Sequence, residues 1–70
     1  MTDHRIADRR LLAAQRHHLI LSQLRRAGFA TTADLTRALG VSAMTVRRDL
    51  NQLAGSGSLR RVHGGACSVR

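Results

Sequence analysis

The fold is decided by the stretch Val41-Ser42-Ala43-Met44-Thr45-Val46-Arg47-Arg48-Asp49-Leu50. Ser42 is a favoured residue type at a helix N-cap, because its hydroxyl can accept a hydrogen bond from a backbone N–H of the first turn. Val46, Leu50 and the following Leu53 repeat at the spacing of one helical face. The stretch therefore predicts an amphipathic helix at about 43–54.

The outer face of this helix carries side chains that suit a DNA groove. A helical period of about 100° per residue places Arg48 nearly opposite the buried face. The major groove admits one α-helix, and the first residues of that helix usually contact bases. Arginine can bind O6 and N7 of guanine as a fork. We therefore expect DNA contacts from this helix by Ser42, Ala43, Met44, Thr45, Arg47, Arg48 and Asn51.

Each of these side chains also has an ordinary structural explanation. Either arginine can be solvated, or paired with Asp49 or Asp34, and exposed pairs contribute only about 0–1 kcal/mol. Met44 can fill a partly buried gap, and Asn51 can cap the helix or bind water. Asp49 would be repelled by phosphate, so we expect it to orient a neighbouring arginine. The hypothesis of a DNA-contacting helix depends on the combination of residues.

A basic hairpin with a glycine turn is expected after the helix. Residues 58–62 and 66–69 have the composition of two strands, and Gly64-Gly65 is a turn signal between them. Glycines let the backbone adopt positive φ and approach a sugar-phosphate chain, and turn amides can bind an anion. His63 can bind phosphate or enter the minor groove, or it can be an ordinary surface histidine. The DNA contacts expected here are Arg60, Arg61, His63, Gly64 and Gly65.

Two further helices are predicted before this unit. An apolar face through Ile20 and Leu24 predicts the first at about 9–27. Thr31-Thr32-Ala33-Asp34 has the form of a capping box, in which the two end residues each bind the backbone N–H of the other. It predicts a second helix at about 32–39.

The order of predicted elements is that of a winged helix-turn-helix. Three helices, with a tight turn before the third, are followed by a β-hairpin that forms the wing, and the link at 29–30 is short and extended. The fold class is therefore mainly α with a small β-hairpin. We expect a flexible N-terminus at 1–8 and one domain over 9–70.

Charge and length restrict the class of function. The 70-residue chain carries 12 arginines and no lysine against 4 acidic residues, and its net charge is +8. Codon bias can explain arginine in place of lysine, but it does not explain the excess of positive charge. Such an excess in a small domain is expected of a nucleic-acid binder. The sequence has no nucleophile–base pair, and its core is too small for a deep pocket, so we expect no enzyme.

No metal, cofactor or membrane segment is indicated. Cys67 is the single cysteine, which excludes an intramolecular disulfide or a Cys-based zinc site, and the 4 histidines lack the spacing of metal ligands. No apolar run reaches the length of about 18 residues that a membrane helix needs. The polar N-terminus lacks the apolar region of a secretion signal. We expect no metal, no cofactor, no membrane contact and a cytoplasmic location.

Two motifs occur together in this chain, Val-Ser-x-x-Thr-Val-Arg-Arg-Asp-Leu at 41–50 and Arg-x-His-Gly-Gly-Ala at 61–66, with Arg16 before them. Together they closely resemble the N-terminal DNA-binding domain of DeoR-family bacterial transcriptional repressors. The related GntR winged helices share only part of the pattern. The chain departs from the family pattern at Gln23, where an apolar residue is common, and at Thr36, where alanine is common.

The resemblance covers about residues 16–66 and implies a winged helix that binds double-stranded operator DNA, with the helix-turn-helix at about 31–51. Family members usually continue into an effector domain that senses a phosphorylated sugar or related metabolite and drives oligomerisation. The resemblance therefore implies a repressor of a sugar or nucleoside operon and a homo-oligomer in the full-length protein. It also implies an effector domain outside this chain. The DNA contacts it implies are Ser42, Thr45, Arg47 and Arg48 on the third helix and His63 and Gly64 on the wing.

One alternative of a different class stays open. A winged helix can bind another protein, and its arginines would then contact an acidic partner, which predicts no preference for duplex DNA. RNA binding has less support, because Phe29 is the only aromatic residue and single-strand recognition commonly uses aromatic stacking platforms.

Overall fold

The computed structural model describes residues 12–69, which contain three helices and three short strands. The winged helix-turn-helix predicted from the sequence is confirmed. The flexible segment expected at 1–8, and the first residues of the domain expected at 9–70, lie outside the described residues. In chain order the elements are α1 (Ala13–Ala27), β1 (Phe29–Thr31), α2 (Thr32–Leu39), α3 (Ala43–Gly55), β2 (Arg60–Val62) and β3 (Gly65–Cys67).

Helix α1 begins later than the sequence pattern predicts. The backbone of Leu12 is extended, with φ −68° and ψ 155°, and its N–H donates to the side-chain oxygen of Gln15 at 3.0 Å. This bond gives the backbone N–H of Leu12 a partner at the start of the helix. The sequence pattern does not indicate this bond, and the predicted start near Arg9 is wrong. The predicted C-terminal residue Gly28 is confirmed, because it adopts the left-handed conformation with φ 83°.

Caps that the sequence predicts fix both ends of α2 and the start of α3. The Thr31 hydroxyl accepts the N–H of Asp34 at 2.9 Å, which starts α2, but the Asp34 side chain binds Arg37, so only half of the predicted capping box forms. Gly40 ends α2 in the left-handed conformation, with φ 69°. Ser42 then accepts the N–H of Thr45 at 3.1 Å, which starts α3. Since all these bonds are local, the sequence pattern locates both helices almost to the residue.

The sheet is larger than the predicted hairpin. Strand β1 joins it, and the antiparallel order is β1-β3-β2, so β3 is the central strand. The sequence indicated only an extended link at 29–30, because a strand of 3 residues carries no sign of a distant partner. The wing is therefore paired directly to the segment that leads into α2. The β1–β3 register is Phe29 with Cys67, Ala30 with Ala66 and Thr31 with Gly65.

The hairpin turns one residue earlier than predicted. His63 and Gly64 form the turn, with Gly64 at φ 78°, whereas Gly65 is the first residue of β3 and is buried. A Cβ on Gly65 would collide with the carbonyl oxygen of Ala30. The predicted Gly64-Gly65 turn is therefore wrong at its second residue, because Gly65 is required for the close approach of two strands.

The core lies where the three helices meet the inner face of the sheet. Val46 and Leu50 of α3 are 0% exposed, as the spacing of the apolar residues predicts, and Leu53 is 6% exposed. Burial of aliphatic side chains of this size contributes roughly 1.5–3 kcal/mol each. The core consists of Ile20, Leu24, Ala30, Leu35, Leu39, Val46, Leu50, Leu53, Leu59 and Ala66.

One charged side chain is buried against this core. Asp49 of α3 is 1% exposed. Arg16 of α1 donates to both carboxylate oxygens, from Nε to Oδ2 at 2.5 Å and from Nη2 to Oδ1 at 2.9 Å. Nε2 of His17 lies 3.2 Å from Oδ1. The expectation that Asp49 orients a neighbouring arginine is wrong, because its arginine partner lies 33 residues away.

Hydrogen bonds keep this buried carboxylate charged. Burial raises the pKa of Asp49, but the hydrogen bonds from Arg16 and His17, together with Coulombic attraction, outweigh burial, so the pKa lies below its ordinary value. The unfolded chain therefore binds the proton more readily than the folded chain. The stability that this carboxylate contributes is fully present above the ordinary pKa of 3.8 and is lost as the pH falls through the lower, folded-state pKa.

We expect Asp49→Asn to lower the free energy of unfolding at pH 7 by about 3 kcal/mol. A loss of this size is the lower end of the cost of breaking a buried ion pair. We expect the lower end because the Arg16 side chain is 15% exposed at the rim of the core. Thermal unfolding followed by circular dichroism between pH 2 and pH 7 (about the range in which carboxylates titrate) measures the effect. The variant should also lose less stability in acid than the parent chain.

The matched control is Asp34→Asn, because Asp34 forms an exposed ion pair with Arg37. Such a pair contributes about 0–1 kcal/mol, so this variant should unfold almost like the parent. Identical pH profiles for the parent and Asp49→Asn would contradict the stabilising role of the buried carboxylate.

Candidate nucleic-acid interface

The outer face of α3 carries two arginines that have no partner within residues 12–69. Arg47 and Arg48 are both exposed, and neither takes part in a hydrogen bond or ion pair with a described residue. The two acidic side chains considered as their partners are engaged elsewhere. Asp49 points into the core, and Asp34 binds Arg37 at 2.6 Å. Two guanidinium groups are therefore available to an external anion.

The start of α3 carries mainly small side chains, with the longer Met44 exposed beside them. Ser42 is exposed, and Ala43 and Thr45 are half-buried. The Ser42 hydroxyl donates to Oγ1 of Thr45 at 3.1 Å. Met44 is 67% exposed, so the alternative that it fills a partly buried gap is wrong. A helix N-terminus with short side chains permits close approach, and its free N–H groups favour a phosphate.

Asn51 and Arg61 join α3 to the wing. Nη1 of Arg61 donates to Oδ1 of Asn51 at 2.6 Å, and Nε of Arg61 donates to the carbonyl oxygen of Gly65 at 3.3 Å. The sequence predicts each residue as a separate DNA contact, whereas the structure brings them together. A guanidinium group has five N–H donors, so Arg61 keeps donors for a phosphate while it holds the wing beside α3.

The tip of the wing is exposed and anchored. His63 and Gly64 are exposed, and the carbonyl oxygen of Gly64 accepts the N–H of Thr32 at 2.9 Å. This bond connects the tip to the start of α2. Gly65, a predicted DNA contact, is buried in β3. Its position supports strand packing, and the exposed surface does not include it.

Arg60 is separated from the other predicted contacts. It is exposed, but side chains alternate between the two faces of a strand. Since Arg61 reaches across to Asn51, Arg60 lies on the opposite face of β2. The structure therefore brings Arg61 of the wing beside Asn51 of α3, and it leaves Arg60 on the other face of the strand.

Other kinds of site find no support within the described residues. No group of three or more His, Cys, Asp or Glu side chains in 12–69 is arranged to hold a metal ion. Cys67 is a free, half-buried thiol. None of the described helices has the length and apolar character needed to cross a membrane.

Known proteins share the sequence of this domain. The family model described as a DeoR-like helix-turn-helix domain matches residues 16–70. Over 56 residues the chain is 45% identical to the HTH-type transcriptional regulator UlaR of Shigella flexneri, and equally to those of Salmonella arizonae and Salmonella newport. The matches cover 80% of this chain, but the chain spans only 22% of the length of these regulators. No solved structure is significantly similar to it.

We expect Asn51→Ala to loosen the wing relative to α3 without unfolding the domain. The variant removes one acceptor of a charged donor at an exposed site, which costs about 0.5–1.5 kcal/mol. Nuclear magnetic resonance of the Arg61 Nη1–H hydrogens measures the effect, because they should exchange faster with water when Asn51 no longer accepts from them.

Gln52→Ala is the matched control, since Gln52 is the next residue of α3 and its side chain is also exposed. It should leave the Arg61 signal unchanged. An Arg61 signal in Asn51→Ala that exchanges as slowly as in the parent would contradict the proposed connection between α3 and the wing.

Proposed function

The chain belongs to the family of DeoR-like helix-turn-helix domains, and from this we propose that it binds double-stranded operator DNA as part of a bacterial transcriptional regulator. The observation that carries the proposal is the exposed pair Arg47 and Arg48 on α3, which has no partner within residues 12–69. The net charge of +8 adds a general attraction to phosphates.

In the proposed complex, the first half of α3 enters the major groove. Arg48 is the candidate for a forked contact to guanine, and Thr45 can meet a thymine methyl group or a base acceptor. The N-terminus of α3, with Ser42, Ala43 and Met44, lies close to the DNA, and its amides can bind a phosphate. Arg47 lies on the flank, where a phosphate contact is favoured.

The wing supplies the second part of the proposed interface. Arg61 can bind a phosphate with the donors that Asn51 and Gly65 leave free. His63 and Gly64, at the exposed tip, can bind the sugar-phosphate backbone or enter the adjacent minor groove. Arg60, on the other face of β2, would contribute charge rather than a defined contact.

The regulatory role extends beyond this domain. Isolated modules of this kind bury only about 600–1,000 Å² on DNA, so tight binding requires a dimer or tandem sites. We propose that the full-length protein is a cytoplasmic homo-oligomer that represses a sugar or nucleoside operon and responds to a phosphorylated sugar through a domain outside this chain. The family resemblance supports this part of the proposal. We propose no catalytic activity, metal or cofactor for the domain itself.

We expect the chain to select a sequence from a library of random duplexes and to prefer it over a scrambled duplex of the same composition. Arg48→Ala should lower this preference by about 1–3 kcal/mol, because a forked contact to guanine distinguishes bases by that amount. Fluorescence anisotropy at two salt concentrations measures both affinities. The slope of log K against log salt should be about −0.9 for each phosphate contact.

Arg60→Ala is the matched control, since it removes the same charge outside the proposed base-contacting surface. It should weaken both duplexes by a similar factor. Equal preference in Arg48→Ala and the parent would refute the role of Arg48. A parent chain without any preference for duplex DNA would instead favour the alternative of an acidic protein partner.

A further inference from the structure

A cluster of polar side chains around the buried Asp49 connects α1 to the helix that we propose contacts DNA. Arg16 and His17 of α1 and Asp49 of α3 form this cluster, which we call the α1–α3 cluster. Arg16 bonds to both carboxylate oxygens at 2.5 and 2.9 Å, and His17 lies 3.2 Å from one of them. Asp49 is 1% exposed, while the Arg16 and His17 side chains are 15% and 23% exposed. Both side chains of α1 therefore point inward, toward the carboxylate of Asp49.

The cluster constrains α3 in a way that the apolar core does not. Val46, Leu50 and Leu53 hold α3 to the domain by apolar burial, which is non-directional and permits small rotations of the helix about its axis. A forked arginine–carboxylate pair is directional, because its two parallel hydrogen bonds require the guanidinium and carboxylate planes to be aligned. The fork therefore fixes the rotation of α3 relative to α1.

The position of Asp49 along α3 makes this rotation important for the outer face. Asp49 directly follows Arg47 and Arg48, so a rotation at the carboxylate moves both guanidinium groups by the same angle. Binding groups must be held within about 0.5 Å and 10–20° of their productive geometry. A small rotation of α3 would therefore disturb base contacts more than contacts to the phosphate backbone, which depend mainly on charge.

We propose that Arg16 and His17 are positioning residues for base recognition, which act through Asp49 to fix the rotation of α3 so that Arg47 and Arg48 face the groove. The inference rests on the proposed DNA binding. Part of the preference for one DNA sequence would then depend on α1, a helix that lies outside the proposed interface. Neither residue contacts the DNA.

The first test compares Arg16→Gln with Arg25→Gln. Both variants remove one charge from α1, but Arg25 is exposed and lies outside the cluster. At a temperature where circular dichroism shows every variant folded, Arg16→Gln should lose about tenfold in preference for the selected over the scrambled duplex. Its salt slope should match that of Arg25→Gln, which should keep the parent preference. Equal preference in the two variants would overturn the proposal.

The second test uses two adjacent histidines and serves if Arg16→Gln does not fold. His17 contacts Asp49, whereas His18 is exposed. His17→Gln should lower the preference by about threefold, since the arginine fork remains and only the third bond is weakened. His18→Gln should keep the parent preference, and an unchanged preference in His17→Gln would overturn the role of His17.

A double-mutant cycle separates positioning from independent effects. If Arg16 acts through Asp49, the double variant Arg16→Gln with Asp49→Asn should lose no more preference than the more affected single variant. Losses that add would overturn the proposal. A parent chain that selects no duplex would remove the proposed DNA binding itself, whereas a selective parent with equally selective cluster variants would overturn only the positioning role.

Discussion

The geometry of the outer face of α3 depends on the buried carboxylate of Asp49. The residue lies directly after Arg47 and Arg48, yet its side chain is 1% exposed and is bound by two groups of α1. If Asp49 pointed outward, its charge would oppose the approach of phosphate and would compete for the neighbouring guanidinium groups. Because it is held inside, α3 presents cations on one side and anchors itself through an anion on the other.

The central strand β3 extends this constraint to the wing. It pairs with β1 on one side and β2 on the other, and Gly65 permits the close approach of β1. The Arg61–Asn51 hydrogen bond then connects β2 to α3 at 2.6 Å. The helix and the wing are consequently connected to each other, and the proposed DNA-contacting surface includes residues of both.

Local signals in the sequence predict most of the fold. The caps at Ser42 and Gly28 and the apolar spacing of Val46 and Leu50 act within a few residues, so the sequence pattern is sufficient to locate them. The sequence pattern does not predict the pairings between distant residues, namely the β1–β3 pairing, the close approach at Gly65 and the partners of Asp49. The helical period does indicate the burial of Asp49, because it places this residue only about 60° from Val46, on the flank of the buried face.

We propose that α3 and the wing tip form one DNA-contacting surface, and that the α1–α3 cluster inside the domain sets the orientation of α3. The most direct measurement is nuclear magnetic resonance of the labelled domain bound to a selected duplex, with contacts identified by magnetisation transfer from the DNA. We expect contacts at Ser42, Ala43, Met44, Thr45, Arg47, Arg48, Arg61, His63 and Gly64, and none from the Arg16 and His17 side chains. Contacts concentrated on the outer face of α1 or on the Arg60 face of the sheet would contradict this proposal.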